Sequence, residues 1–243
     1  MHESTAARIA DAAALSRTDA VLEIGPGTGM LTRALLSRAG KVVAVEADRE
    51  LAASLEETFA RELADGTFVL VTGDVRALDP ADYFSGSYKI VANIPYYLTG
   101  ELMRRFLEAP VQPESITFLV QKEVAERIAR AKKESVLSLS VKAFGTPRYV
   151  FTVPRGAFKP VPKVDSAVLT ITHISRDAFA TPAQEARFFA LIHAGFSHKR
   201  KLLASNLQEA GLKERGALAA IGVPETARAE DLPLAAWLSL VRA

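Results

Sequence analysis

The chain has 243 residues and a formal net charge of +2, with 49% hydrophobic and 24% charged residues, the make-up of a soluble globular protein with one large domain or two modest ones. That composition excludes disorder, collagen-like repeats and a coiled coil, and no apolar run approaches the roughly 18–20 residues of a membrane span. Cysteine is absent, so there is no disulfide framework and no cysteine-ligated metal; no metal site is expected, and a cytoplasmic location is.

Residues 4–15 carry apolar positions at helical spacing behind a Ser/Thr cap, and the first residues lack the basic-then-apolar order of a signal peptide. A short apolar strand, VLEIG at 21–25, runs into glycines, and 29–39 reads as a helix. KVVAVEAD is the next strand, 49–63 the next helix, then FVLVTGD and YKIVANIPY as strands, 98–108 as a helix, SITFLVQ as a strand and 122–131 as a helix. Strands alternating with helices of this length predict a mostly parallel sheet covered on both faces. RYVFTVP and SAVLTITHI complete it; only the proline-rich GAFKPVPKVD separates them, so they are expected to pair antiparallel. After residue 174 the strand signal stops, and 183–243 reads as three or four short helices punctuated by Gly211, Gly222, Pro224 and Pro233. The expected fold is α/β, a Rossmann-like sheet over residues 1–174 with its last strand antiparallel, followed by a small all-α domain over 175–243. No repeat or low-complexity tract interrupts it.

Chemistry gathers at the strand ends. The first strand opens into Gly25-Pro26-Gly27-Thr28-Gly29 and a helix follows at once. Glycines there permit positive φ and let a ligand approach the backbone, although a lone GxGxG is equally a tight structural turn. The spacing is not the GxGxxG of a dinucleotide fold. The second strand ends in Glu46, where a carboxylate can accept both hydroxyls of a ribose, and the third in Asp74, which can accept from an exocyclic adenine amine. Carboxylates with no cluster of cations for phosphates suit S-adenosylmethionine (SAM), a cationic ligand without phosphate, and Glu23 adds negative potential beside it.

The fourth strand ends in Asn93-Ile94-Pro95-Tyr96. Methylation of a planar amine needs acceptors for both N–H groups, so that the nitrogen lone pair turns toward the methyl carbon. The Asn93 amide oxygen and a backbone carbonyl near Ile94 can supply them. Pro95 fixes the turn, and Tyr96 offers a face on which a base stacks. Asn-x-Pro is also a plain turn signal; what favours chemistry is its place after the glycine turn and two acids. Phe158, between the last two strands, reads either as the second face of a flipped base or as a plug under a rigid loop. Beside it, Lys159 and Lys163 suit phosphate contacts.

Charge is uneven along the chain. Residues 1–119 hold 11 Lys and Arg against 17 Asp and Glu, whereas 120–243 hold 19 against 11, which points the second half at a polyanion. Lys122, Arg127, Arg130, Lys132 and Lys133 recur along one helix and its exit, and Lys199, Arg200 and Lys201 form a second cluster after His198. Either cluster alone reads as a solvated face; the two together favour RNA.

EIGPGTG, VAVEAD, GD, NIPYYLT, LVQKEVAERI, AFKPVPKVDSAV and AGFSHKRKLLASNL follow one another in this order, and together they resemble the KsgA-type small-subunit ribosomal RNA adenine dimethyltransferases over essentially the whole chain. The resemblance implies SAM-dependent dimethylation of N6 on two adjacent adenines in the 3′-terminal hairpin loop of 16S rRNA, on an assembling small subunit. It implies SAM contacts at Gly25, Glu46, Asp74 and Asn93, to which their places in and before the glycine turn add Gly27 and Glu23 as cofactor-binding candidates, and an adenine held by Asn93 to Tyr96 with Phe158 opposite. Two stretches depart from the family pattern. The basic segment and G-Q-N/H-F-L that usually precede the first helix are not found before residues 4–15, which reads either as a truncated chain or as a less enclosed cofactor; and Ala131-Lys132-Lys133-Glu134-Ser135 replaces a K-x-Y-G-like stretch. The rival readings are a macrolide-resistance methylase of 23S rRNA and a non-catalytic RNA-binding assembly factor on the same scaffold. Nothing in the sequence requires more than a monomer.

Overall fold

The computed structural model describes residues 1–212 and 215–242; positions 213, 214 and 243, which the expected C-terminal helices include, lie outside the described residues. The chain forms two compact units, one of residues 1–125 and 148–174, the other of 126–147 and 175–243. The second unit therefore takes a middle segment that the sequence reading placed with the sheet.

The first unit is built from α1 (Glu3–Ala12), β1 (Ala20–Ile24), α2 (Met30–Leu36), β2 (Lys41–Glu46), α3 (Arg49–Thr58), α4 (Ala60–Ala64), β3 (Phe68–Thr72), β4 (Lys89–Asn93), α5 (Thr99–Leu107) and β5 (Ser115–Gln121). The chain leaves it within α6 (Lys122–Ala129) and returns in β6 (Thr146–Val153) and β7 (Ser166–Thr172). The seven strands are ordered β3-β2-β1-β4-β5-β7-β6. β1 to β5 are parallel to their neighbours, and β7 runs antiparallel to β5. This is the expected sheet, its antiparallel strand included. β6 lies beside β7 at the edge.

The apolar runs are continuous because the central strands are covered on both faces. Val21 and Leu22, Val42 to Val45, and Ile90 to Ala92 are all buried. α1 buries Thr5, Ala6, Ile9 and Ala10, one stripe at helical spacing, and its Arg8 guanidinium sits 3.9 Å above the Phe151 ring. One expected helix, 49–63, is broken into α3 and α4 at Phe59, whose φ of −115° and ψ of 28° leave helical space. Its ring is buried edge-on against Phe68, 5.3 Å between centroids, and that packing prevails over helix continuity.

The second unit contains α7 (Val136–Phe144), α8 (Pro182–Gly195), α9 (Leu203–Glu209), α10 (Arg215–Ala220) and α11 (Leu234–Arg242). α7 has no counterpart among the predicted elements. It starts at a reciprocal cap, where the Ser135 hydroxyl accepts from the Ser138 N–H at 3.1 Å and the Ser138 hydroxyl accepts from the Ser135 N–H at 2.7 Å. Trp237 is fully buried in this unit, and Gly195 lets it be so: a Cβ at 195 would lie 2.5 Å from the indole and 2.9 Å from Leu203. Among the described residues, no helix is long and apolar enough to cross a membrane.

Candidate active site

In the order β3-β2-β1-β4, the strands that leave to the left and right of β1 part company between β1 and β4. The carboxyl ends of the strands flanking such a point make a crevice into which ligands fit. The residues at those ends are Asp74 after β3, Glu46 on β2, Gly25 after β1 and Asn93 closing β4. The topology brings these four residues, far apart in the sequence, to one edge of the sheet.

Gly25, Gly27 and Gly29 have φ of +65°, +58° and +76°, a region that side chains resist. At Gly29 glycine is required twice, because a Cβ would also come within 2.6 Å of the Phe59 ring. At Gly25 and Gly27 nothing lies within 4 Å of where a Cβ would stand, so the backbone faces open space that a ligand can fill. Glu46, buried, ties the turn to β2: one carboxylate oxygen accepts from the Gly27 N–H and the other from the Asp48 N–H, both at 3.0 Å. Each oxygen retains capacity for a further donor.

Glu23 lies beneath this turn at 1% exposure, and neither carboxyl oxygen has a hydrogen-bond partner. Burial pushes its pKa up to about 8; the nearby Thr32 hydroxyl opposes the shift without closing a hydrogen bond, and the charge of Glu46 adds to it. Asp74 is the opposite case. The Arg76 side chain grips both its oxygens at 2.5 to 3.0 Å, the Arg76 N–H donates to it at 2.9 Å, and the pKa is held down to about 2. Arg76 was not singled out by the sequence reading; an arginine two residues beyond a strand-end acid was its available signal.

Asn93 is half-buried, and its side-chain amide has no hydrogen-bond partner among the described residues. Ile94 is buried, and Pro95, at φ −56° and ψ 133°, starts a single 3-10 turn over Tyr96–Leu98. Tyr96 is half-buried, with its hydroxyl 2.8 Å from that of Ser166. Tyr97, the next residue, is 84% exposed. Phe158 is partly buried and packed against the core under the 154–165 loop, while Lys159 and Lys163 are exposed and without ion pairs among the described residues.

The chain that carries this glycine turn, these strand-end acids and this Asn-Ile-Pro-Tyr is matched over residues 1–243 by the model of one family, described as ribosomal RNA adenine dimethylase. The chain belongs to the ribosomal RNA adenine dimethylase family. It is 41% identical over 236 residues to the ribosomal RNA small subunit methyltransferase A of Dehalococcoides mccartyi, covering 94% of this chain and 80% of that protein. It is 42% identical over 232 residues to the protein of the same description from a Synechococcus species, covering 90% and 79%. Among solved structures it resembles the 23S rRNA methyltransferase ErmE, with a TM-score of 0.80, 30% identity and coverage of 100% and 97%. It also superposes on a dimethyladenosine transferase from Plasmodium falciparum, with a TM-score of 0.81 at 26% identity and coverage of 98% and 94%.

As a dimethylase the chain is a SAM-dependent methyltransferase, and its residues fit that cosubstrate: an open glycine cradle, acids at the tips of β2 and β3, and a buried carboxyl without a partner. The cations expected to meet RNA differ in what already engages them. Lys133 pairs with Glu230 and, at 3.7 Å, with Asp231. Lys201 donates to both oxygens of Glu209 at 2.7 and 2.9 Å. Lys132, Lys199 and Arg200 are exposed with no ion pair among the described residues. Lys122 donates its backbone N–H to the Asp165 carbonyl at 3.0 Å, and Arg127 and Arg130 are exposed on and just beyond α6.

Proposed function

We propose that this dimethylase transfers methyl groups from SAM to N6 of two adjacent adenines in the 3′-terminal hairpin loop of 16S rRNA during small-subunit assembly, with the helical segment 175–243 as an RNA-binding domain. What carries the reading is the unpartnered Asn93 amide, closing β4 beside the glycine turn in a chain of this family. The relatives above 40% identity are named for the small subunit. The likeness to ErmE makes large-subunit RNA the alternative substrate.

SAM supplies an electrophilic methyl on a cationic sulfur. The Asn93 amide oxygen accepts one N–H of the target amine and the Ile94 carbonyl the other, which turns the nitrogen lone pair out of the ring system and toward the methyl carbon. Tyr96 holds the base by its ring face, a contact of about 1–3 kcal/mol. The target N6 is reachable only in a loop or after flipping, since a paired adenine hides it. Glu46 receives the ribose hydroxyls and Asp74 the adenine amine of the cofactor, while Gly25 and Gly27 let its chain lie against the backbone. Glu23, held protonated by burial in the free protein, gives up its proton as the cationic cofactor binds and then provides negative charge beneath it. The amine loses its proton readily once it carries positive charge, so no base of shifted pKa is required; rate comes from alignment. Lys159 and Lys163, with Lys132, Lys199 and Arg200, contact phosphates, and Lys133 and Lys201 contribute less because acids already engage them.

Asn93→Ala tests the assignment. Methyl transfer to unmethylated small-subunit RNA falls by about 10²-fold or more while the protein stays folded; transfer at the wild-type rate would remove Asn93 from the chemistry.

A further inference from the structure

We propose that Ser166 is a positioning residue for the reaction, anchoring the far end of the Tyr96 ring so that the ring lies where the target adenine stacks; the inference rests on the function proposed above. Tyr96 and Ser166 are 70 residues apart in the chain, and their hydroxyls meet at 2.8 Å. Ser166 opens β7, where it pairs with Gln121, the last residue of β5, and it is fully buried. The register sets Asn93 opposite Leu119, two residues before Gln121. Ser166 thus stands at the same carboxyl edge as Asn93, beyond it by two residues of strand rise, about 6.6 Å.

A buried hydroxyl at the head of the apolar run Ala167-Val168-Leu169 adds nothing that alanine would not, unless it has a partner. The hydroxyl of Tyr96 is that partner. Tyr96 lies in a single 3-10 turn, and its side chain reaches from there to the head of β7. A hydrogen bond at the far end of the ring anchors its hydroxyl, and so fixes the direction in which the ring axis points from the turn. The neighbouring Asp165 adds a brace: its carboxylate accepts from the Arg155 N–H at 2.9 Å and its carbonyl from the Lys122 N–H at 3.0 Å. The Asp165–Ser166 pair thereby ties the start of the 154–165 loop, the end of β5 and the Tyr96 ring to one point of the sheet.

The test is a double-mutant cycle with Ser166→Ala and Tyr96→Phe, which removes the same bond from either side and keeps the ring. The two single variants and the double variant are expected to lose kcat to the same extent, about fivefold to tenfold for a modest misalignment, with KM for RNA and the thermal midpoint close to wild type. An independent arm places 2-aminopurine at the target position of an RNA hairpin. Its quenching on binding reports stacking without turnover, and it weakens equally in all three variants. Losses that multiply in the double variant, a Tyr96→Phe variant with full kcat and full quenching, or a loss of kcat that follows the thermal midpoint would overturn the role. A wild-type protein that quenches the probe but methylates no small-subunit RNA refutes the proposed substrate and leaves the quenching arm to decide on Ser166.

Discussion

Glu23 carries the most distinctive electrostatics of the site. Its carboxyl, normally ionised at neutral pH, is protonated up to about pH 8 because it is buried without a hydrogen bond. In the unfolded chain it ionises near its ordinary value of 4.5. The folded state therefore binds the proton more tightly, so Glu23 favours folding most below pH 4.5, and that contribution declines as pH rises toward 8. Denaturant titrations at pH 5 and pH 8 should show this decline in the wild type and a smaller one in Glu23→Gln. A cationic ligand reverses the preference. SAM affinity should rise between pH 6 and 8 with release of a proton, detectable by calorimetry in buffers of different ionisation enthalpy, and the Glu23→Gln variant should bind more weakly without that release. Equal proton release by both proteins would show that the proton comes from elsewhere. At this scale the strand-end set of Gly25, Glu46, Asp74 and Asn93 was legible, because each residue follows a recognisable apolar run. The grip of Arg76 on Asp74 and the bond between Tyr96 and Ser166 were not, since side-chain partnerships depend on torsions and on a strand register that spacing does not encode.

Among elements, β1 to β5 were readable as unbroken apolar runs because a parallel sheet is covered on both faces. α7 was not. In VLSLSVKAF, Leu137, Leu139 and Val141 alternate with Ser138, Ser140 and Lys142, a period of two that fits a strand as well as a helix. The Ser135–Ser138 cap and the Ser140 hydroxyl, which donates to the Val136 carbonyl at 2.8 Å, settle it as a helix. Glycines that join elements separate two costs. Gly66 has φ +79° and open space, so Gly66→Ala carries backbone strain alone, about 1–2 kcal/mol. Gly29→Ala adds a collision with Phe59 at the head of α2, and should be less stable than Gly66→Ala by about 1–3 kcal/mol. Chemical denaturation of the pair checks this; equal losses would mean that the Phe59 ring yields freely. In the second unit, Asn206 is buried and donates from its side chain to the carbonyls of Gly195 and His198 at 2.5 and 3.1 Å. It fixes the turn that leads to Lys199 and Arg200. Asn206→Ala should loosen that turn and raise its amide exchange.

For the whole molecule, the proposed methyl transfer pairs a SAM site in the first unit with a polyanionic substrate, and exposed cations are found in each unit. RNA affinity should fall steeply with salt, as counterion release requires. Replacing Lys199 and Arg200 by alanine should weaken binding and lower the salt slope by about 1–2. Replacing Lys133 and Lys201 should do less, because Glu230 and Glu209 already engage them. Filter binding across a salt series separates the two pairs, and equal effects would show that the ion pairs open at no cost when RNA binds. The most direct test offers labelled SAM and this protein to unmethylated small and large ribosomal subunits separately, followed by nucleoside analysis. N6,N6-dimethyladenosine is expected in small-subunit RNA alone; label confined to the large subunit, or none in either, would overturn the proposed function.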